Sequence, residues 1–78
     1  MKRYIKSSKL VQYRIYEGIW DDEYNEYNYE ECIDTADTED DAISKAVDYS
    51  DSNNVPVQVV QVVDEDTETI WDNEEKFV

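Results

Sequence analysis

D-T-E-D-D-A-I-S-K-A-V-D-Y-S, residues 37–50, reads as a helix, and the segments on either side of it read as strands. Thr38 or Asp37 can accept a hydrogen bond from the free N–H groups of a first turn, and Glu39, Asp40 and Asp41 put negative charge at the positive end of the helix dipole. Thr38-x-x-Asp41 is a near capping box, with Asp where Glu or Gln is usual. Ala42, Ile43, Ala46 and Val47 recur at helical spacing and form one apolar stripe. That stripe needs a sheet to cover it.

Strand patterns supply one. Residues 9–17 (K-L-V-Q-Y-R-I-Y-E) alternate, with Val11, Tyr13 and Ile15 on one face and Gln12 and Arg14 on the other. Tyr4 and Ile5 either extend this strand past a break at Ser7 and Ser8 or belong to a mobile basic arm over 1–8. Gly18, the only glycine, follows the strand, and Asp21-Asp22 suggests a turn. Residues 24–35 read as a second strand, with Tyr27, Tyr29 and Ile33 on one face. Glu31 shares that face unless a bulge turns it to solvent. After the helix, 51–54 read as a loop and 55–63 (V-P-V-Q-V-V-Q-V-V) as the most apolar strand, with Pro56 at its start or on an unpaired side. Gln58 and Gln61 share a face if a bulge falls near Val59-Val60; otherwise both faces of this strand are largely buried. A charged turn over 64–66 precedes a fourth strand over 67–71. A tail over 72–78 is expected to fray, with Trp71 and Phe77 able to dock. The order is β-β-α-β-β: a single α+β domain over 1–78, one helix packed on a mostly antiparallel sheet.

A lone cysteine, Cys32, excludes an internal disulfide and fits a reducing compartment. The basic start has no apolar run of a signal peptide, and no segment approaches the roughly 20 apolar residues of a membrane span, so a cytoplasmic protein without membrane contact is expected. Net charge is −14, from 21 acids and 7 bases. Five of the bases precede residue 17; from Glu17 onward 21 acids face only Lys45 and Lys76. Self-repulsion on this scale opposes folding, and the tyrosines, tryptophans and valines must offset it.

Catalysis finds little to stand on. There is no histidine to serve a Ser or Cys nucleophile. Cys32 lies among Glu30, Glu31 and Asp34, which oppose thiolate formation, and reads as a small strand residue. With so many acids, carboxylate pairs arise by chance, and none stands out as a catalytic dyad. Phosphate-cradling glycines are missing. Asp64, Asp66, Glu68 and Glu75 match positions 1, 3, 5 and 12 of a calcium loop, yet Thr69 stands where the turn needs glycine. The expectation is a non-enzymatic chain with no cofactor, and with direct nucleic-acid binding disfavoured by its charge.

The charge itself is the signal. DNA carries one phosphate per about 3.4 Å along each strand. Alternate strand residues lie about 6.6–6.8 Å apart and i, i+4 helix residues about 6 Å, so acids at those spacings match every second phosphate. Glu26, Glu30 and Asp34 share a face if the second strand is regular. Asp37, Asp41 and Asp48 crowd one side of the helical region, with Glu39 and Asp40 at its mouth. Tyr24, Tyr27 and Tyr29 interleave with Glu23, Glu26, Asn25 and Asn28, giving either interface anchors in an acidic rim or, for Tyr27 and Tyr29, core residues with Tyr24 at a turn. The expected partner-binding set is Glu23, Tyr24, Glu26, Tyr27, Glu30, Asp34, Asp37, Glu39, Asp40, Asp41 and Asp48.

In size, charge and its mix of tyrosine with carboxylates, the whole chain resembles the small acidic proteins with which phages and mobile elements block host defences. These are the DNA-mimic inhibitors of restriction enzymes, CRISPR effectors and uracil-DNA glycosylase. The resemblance implies a basic nucleic-acid-binding partner in the bacterial cytoplasm. A phage accessory module that self-associates through a sheet edge, as a homodimer for example, is the rival expectation.

Overall fold

The computed structural model describes residues 11–77. The basic arm expected over 1–8 and the Lys9-Leu10 start of the first strand lie outside the described residues. Four strands and a helix follow in the order β1 (Val11–Asp21), β2 (Glu26–Ala36), α1 (Glu39–Asn53), β3 (Val57–Val63) and β4 (Asp66–Asp72), and a 3-10 turn spans Glu74–Phe77. The sheet order is β2-β1-β3-β4, with every neighbouring pair antiparallel. The expected α+β arrangement is therefore the one observed. β2 and β3 run parallel with β1 between them, and α1 makes the crossover that such a connection requires.

Thr38 caps α1: its backbone is extended and its Oγ1 accepts the Asp41 amide at 3.2 Å. At the other end Asn54 adopts a left-handed conformation (φ 56°) and donates its amide to the Ser50 carbonyl, so the helix runs through residues expected to form a loop. The buried stripe is Ala42, Ala46 and Ser50, with Ile43 and Tyr49 beside it. Val47, expected in the stripe, is exposed. Small residues let the helix sit close to the sheet, and that contact rotates Val47 outward.

Directly opposed residues share a face. Tyr13, Ile15 and Glu17 pair with Gln61, Val59 and Val57, and Ile15, Val57 and Val59 are fully buried beneath α1. β3 is regular against β1, so Gln58 and Gln61 face opposite sides. The bulge sits in β4 instead, where Ile70 is the extra residue between Thr69 and Trp71, and both Ile70 and Trp71 reach the core.

Gly18 lies inside β1, not after it. A Cβ there would stand 2.8 Å from both Pro56 Cγ and Tyr29 Cε2, so glycine is what lets these two rings pack against β1. Its amide donates to the Pro56 carbonyl at 2.9 Å, and the strand continues to Asp21. The tail expected to fray is pinned. Asn73 accepts the Val57 amide and donates to Ser50, and Glu74 accepts the Tyr29 hydroxyl.

Candidate functional site

β3 begins opposite Glu17, but the β1–β2 ladder continues past that point to the Asp21–Glu26 pair. This hairpin end carries Glu23 and Tyr24 in its turn and Glu26 and Tyr27 at the start of β2. Asp21 shapes the turn by accepting from the Glu23 amide and from Asn28 Nδ2, and Asn25 closes it at φ 53°. Tyr24 is 68% exposed, in agreement with its reading as a turn residue. Tyr27 is half-buried and meets Trp20 edge-on, with ring centroids 5.0 Å apart. Trp20 is itself 46% exposed, and Ile19 beside it 49%. Sequence reading missed Trp20 and Ile19, because the Gly18 signal placed the end of β1 before them.

Glu26, Glu30 and Asp34 do not form the expected row. Register shifts fall between Ile15 and Tyr16 and between Glu17 and Ile19. Each inserts one extra β2 residue and resets the alternation. Glu26, Glu31 and Asp34 stand opposite Asp21, Glu17 and Ile15, on the face that α1 covers further along, whereas Glu30 flanks Gly18. The result is two rungs of directly opposed carboxylates, Asp21–Glu26 and Glu17–Glu31. Like charges so placed repel across the ladder.

The helix contributes the remaining candidates. Asp37 precedes the cap, Glu39, Asp40 and Asp41 form the first turn, and all four are exposed. Asp41, Lys45 and Asp48 follow at helical spacing along one side. Lys45 turns toward β2, donating to the Thr35 carbonyl at 2.9 Å and standing 3.8 Å from Asp34 Oδ2. The candidate residues thus fall into a hairpin end, an isolated Glu30 on edge strand β2, a helix mouth, and a cleft between α1 and β2 that holds Asp34 and Asp48.

Two tyrosines tie this surface to the body of the fold. Tyr49 donates to Glu17 Oε1 at 2.6 Å, and Tyr29 donates to Glu74 Oε1 at 2.7 Å. Both phenols are held above their ordinary pKa. For Tyr49 the bond to Glu17 is the main cause, and for Tyr29 it is burial, followed by the bond to Glu74.

Other chemistry is not assembled. Asp64 lies in the β3–β4 turn, Asp66 and Glu68 along β4, and Glu75 beyond its far end, so a seven-residue strand holds apart the matches to a calcium loop. Among the described residues no group of three His, Cys, Asp or Glu is placed to hold a metal ion. Cys32 is a strand residue as expected, but it is exposed, because it pairs with Tyr16 on the face away from α1. Among the described residues no helix is long and apolar enough to cross a membrane. No protein-family model, curated protein or solved structure matches this chain.

Proposed function

We propose that this protein is a non-enzymatic inhibitor that engages a basic nucleic-acid-binding protein of a bacterial host, such as a CRISPR effector or a restriction enzyme, through a surface imitating the charge of nucleic acid. One observation carries the reading. Residues 17–41 hold 12 acids and no base, and the hairpin end, β2 and the first turn of α1 present them with every carboxylate at least partly in solvent. Asp21–Glu26 and Glu17–Glu31 are opposed although neutral partners would be more stable there. Retaining such repulsion is intelligible when a cationic partner relieves it. Exposed Trp20 and Tyr24 add the aromatic anchors that slow dissociation once charge has brought the partners together.

Self-association through a sheet edge is less well supported. Both edge strands are irregular, β2 at two register shifts and β4 at one. Bulges of this kind hinder edge-to-edge pairing.

The test is affinity capture from a bacterial lysate at low salt, elution with duplex DNA, and a competition assay on the captured protein. The expected result is a basic protein whose binding weakens steeply with salt and is displaced by nucleic acid. Binding indifferent to both salt and nucleic acid removes the reading.

A further inference from the structure

We infer that the cleft between α1 and β2 is a receptor for one arginine side chain of the basic partner. This inference rests on the proposed function and specifies how that partner is gripped. The bulge in β2 places Ile33 and Asp34 together opposite Ile15, so an apolar and an anionic side chain face the helix side by side. The cleft they border is an open groove with a volume of about 350 Å³, lined on the helix side by Lys45, Asp48, Tyr49, Ser52 and Asn53. Buried Ile15 forms its floor, and half-buried Ile33 and Tyr49 form its walls. The Tyr49 hydroxyl is fixed by Glu17, which holds the ring in place as a wall.

The charges at the rim select the occupant. Lys45 is engaged by Asp34 and by the Thr35 carbonyl, so it neutralises one carboxylate without leaving its wall. The Asp48 carboxylate makes no hydrogen bond or ion pair with any described residue. A groove that sets the apolar side chains of Ile15, Ile33 and Tyr49 beside the Asp48 carboxylate fits a side chain with a hydrocarbon stem and a cationic head. Arginine suits it better than lysine, because its planar guanidinium can stack on the Tyr49 ring while donating in a fork to Asp48.

The probe is N-acetyl-arginine amide, titrated into the intact protein and followed by NMR of the Ile15 and Ile33 methyl groups and the Tyr49 ring. N-acetyl-norleucine amide and N-acetyl-lysine amide serve as comparisons. Saturable shifts confined to these three residues are expected, strongest with arginine and in the millimolar range of single side-chain contacts. Asp48→Asn, an exposed change that leaves the fold intact, is expected to weaken them about tenfold. Asp51→Asn, outside the cleft, is expected to leave them unchanged. The inference is overturned by the absence of saturable shifts at the cleft, by equal shifts with the norleucine amide, or by an Asp48→Asn protein that binds as before. If the cleft ignores arginine while a nucleic-acid-binding protein is still captured in a salt-sensitive way, the cleft is excluded and the wider acidic surface stands.

Discussion

Asn73 Oδ1 accepts the Val57 amide at 2.9 Å, one residue past the end of β4, and so supplies the first residue of β3 with a ladder bond that no backbone carbonyl provides. Its Nδ2 donates to Ser50 Oγ at 2.8 Å, and that hydroxyl donates to the Val55 carbonyl at 2.6 Å. One side chain therefore joins the C-terminal half of α1, the start of β3 and the 3-10 turn. Asn73→Ala strands a buried amide, at a cost of about 1–3 kcal/mol. For a domain of this size each kcal/mol lowers the melting temperature by roughly 4–8 °C. Calorimetry of Asn73→Ala beside Glu75→Ala, an exposed change two residues on, checks this; equal melting temperatures refute the role given to Asn73.

Gly18→Ala tests the convergence of β1, β2 and the β3 entry. The added methyl meets Pro56 and Tyr29, and Tyr29 cannot easily withdraw because its hydroxyl is bound to Glu74. Overpacking of this kind costs typically 1–3 kcal/mol. Chemical denaturation is expected to show a lower midpoint, with partial recovery when Tyr29→Phe frees the ring in the same chain. A Gly18→Ala protein as stable as the parent contradicts the packing described.

These two sites mark where sequence reading stops. The Thr38 cap, the helix and the valine-rich β3 were legible because each depends on neighbours within a few residues. Gly18 looked like the residue that ends β1 because its role depends on Pro56 and Tyr29, which are distant in sequence. Ser50 looked like no more than the last helix residue and Asn73 like part of a fraying tail, for the same reason. At the candidate site, the composition of the acidic surface was readable, but its geometry was not. Two bulges in β2 replaced the expected row of Glu26, Glu30 and Asp34 with the opposed rungs, and they also set Ile33 beside Asp34.

Alkaline pH should loosen the fold through Tyr29. Its phenol is held above the ordinary value in the native state, so folding favours the protonated form. The associated stability is complete below the unfolded pKa of about 10 and is lost as pH rises from there toward the native pKa. Tyr49, shifted in the same direction, adds to the loss. Thermal melts between pH 8 and pH 11 are expected to fall less steeply for Tyr29→Phe than for the parent. An ultraviolet titration of the folded protein should lose one late-ionising tyrosine in that variant. Parallel pH profiles for the two proteins would show that Tyr29 carries no linkage.

The opposed carboxylates predict that stability and binding can be moved in opposite directions by one substitution. Glu31→Lys faces Glu17, and Glu26→Lys faces Asp21, so each turns a repulsive rung into an attractive one. Cross-strand charge pairs are worth roughly 0.2–1 kcal/mol. Both variants are therefore expected to melt higher than the parent at low salt, with the gain shrinking near 1 M salt, where the screening length falls to about 3 Å. Glu65→Lys, in the β3–β4 turn, makes the same change in net charge without facing an opposed acid across β1 and β2, and should gain less. If the acids are kept for a cationic partner, Glu31→Lys and Glu26→Lys should also weaken capture of that partner while stabilising the free chain, the trade expected of residues held against the interest of the fold. Higher melting temperatures with capture unchanged would detach these rungs from binding, and unchanged melting temperatures would mean that solvent already screens the repulsion.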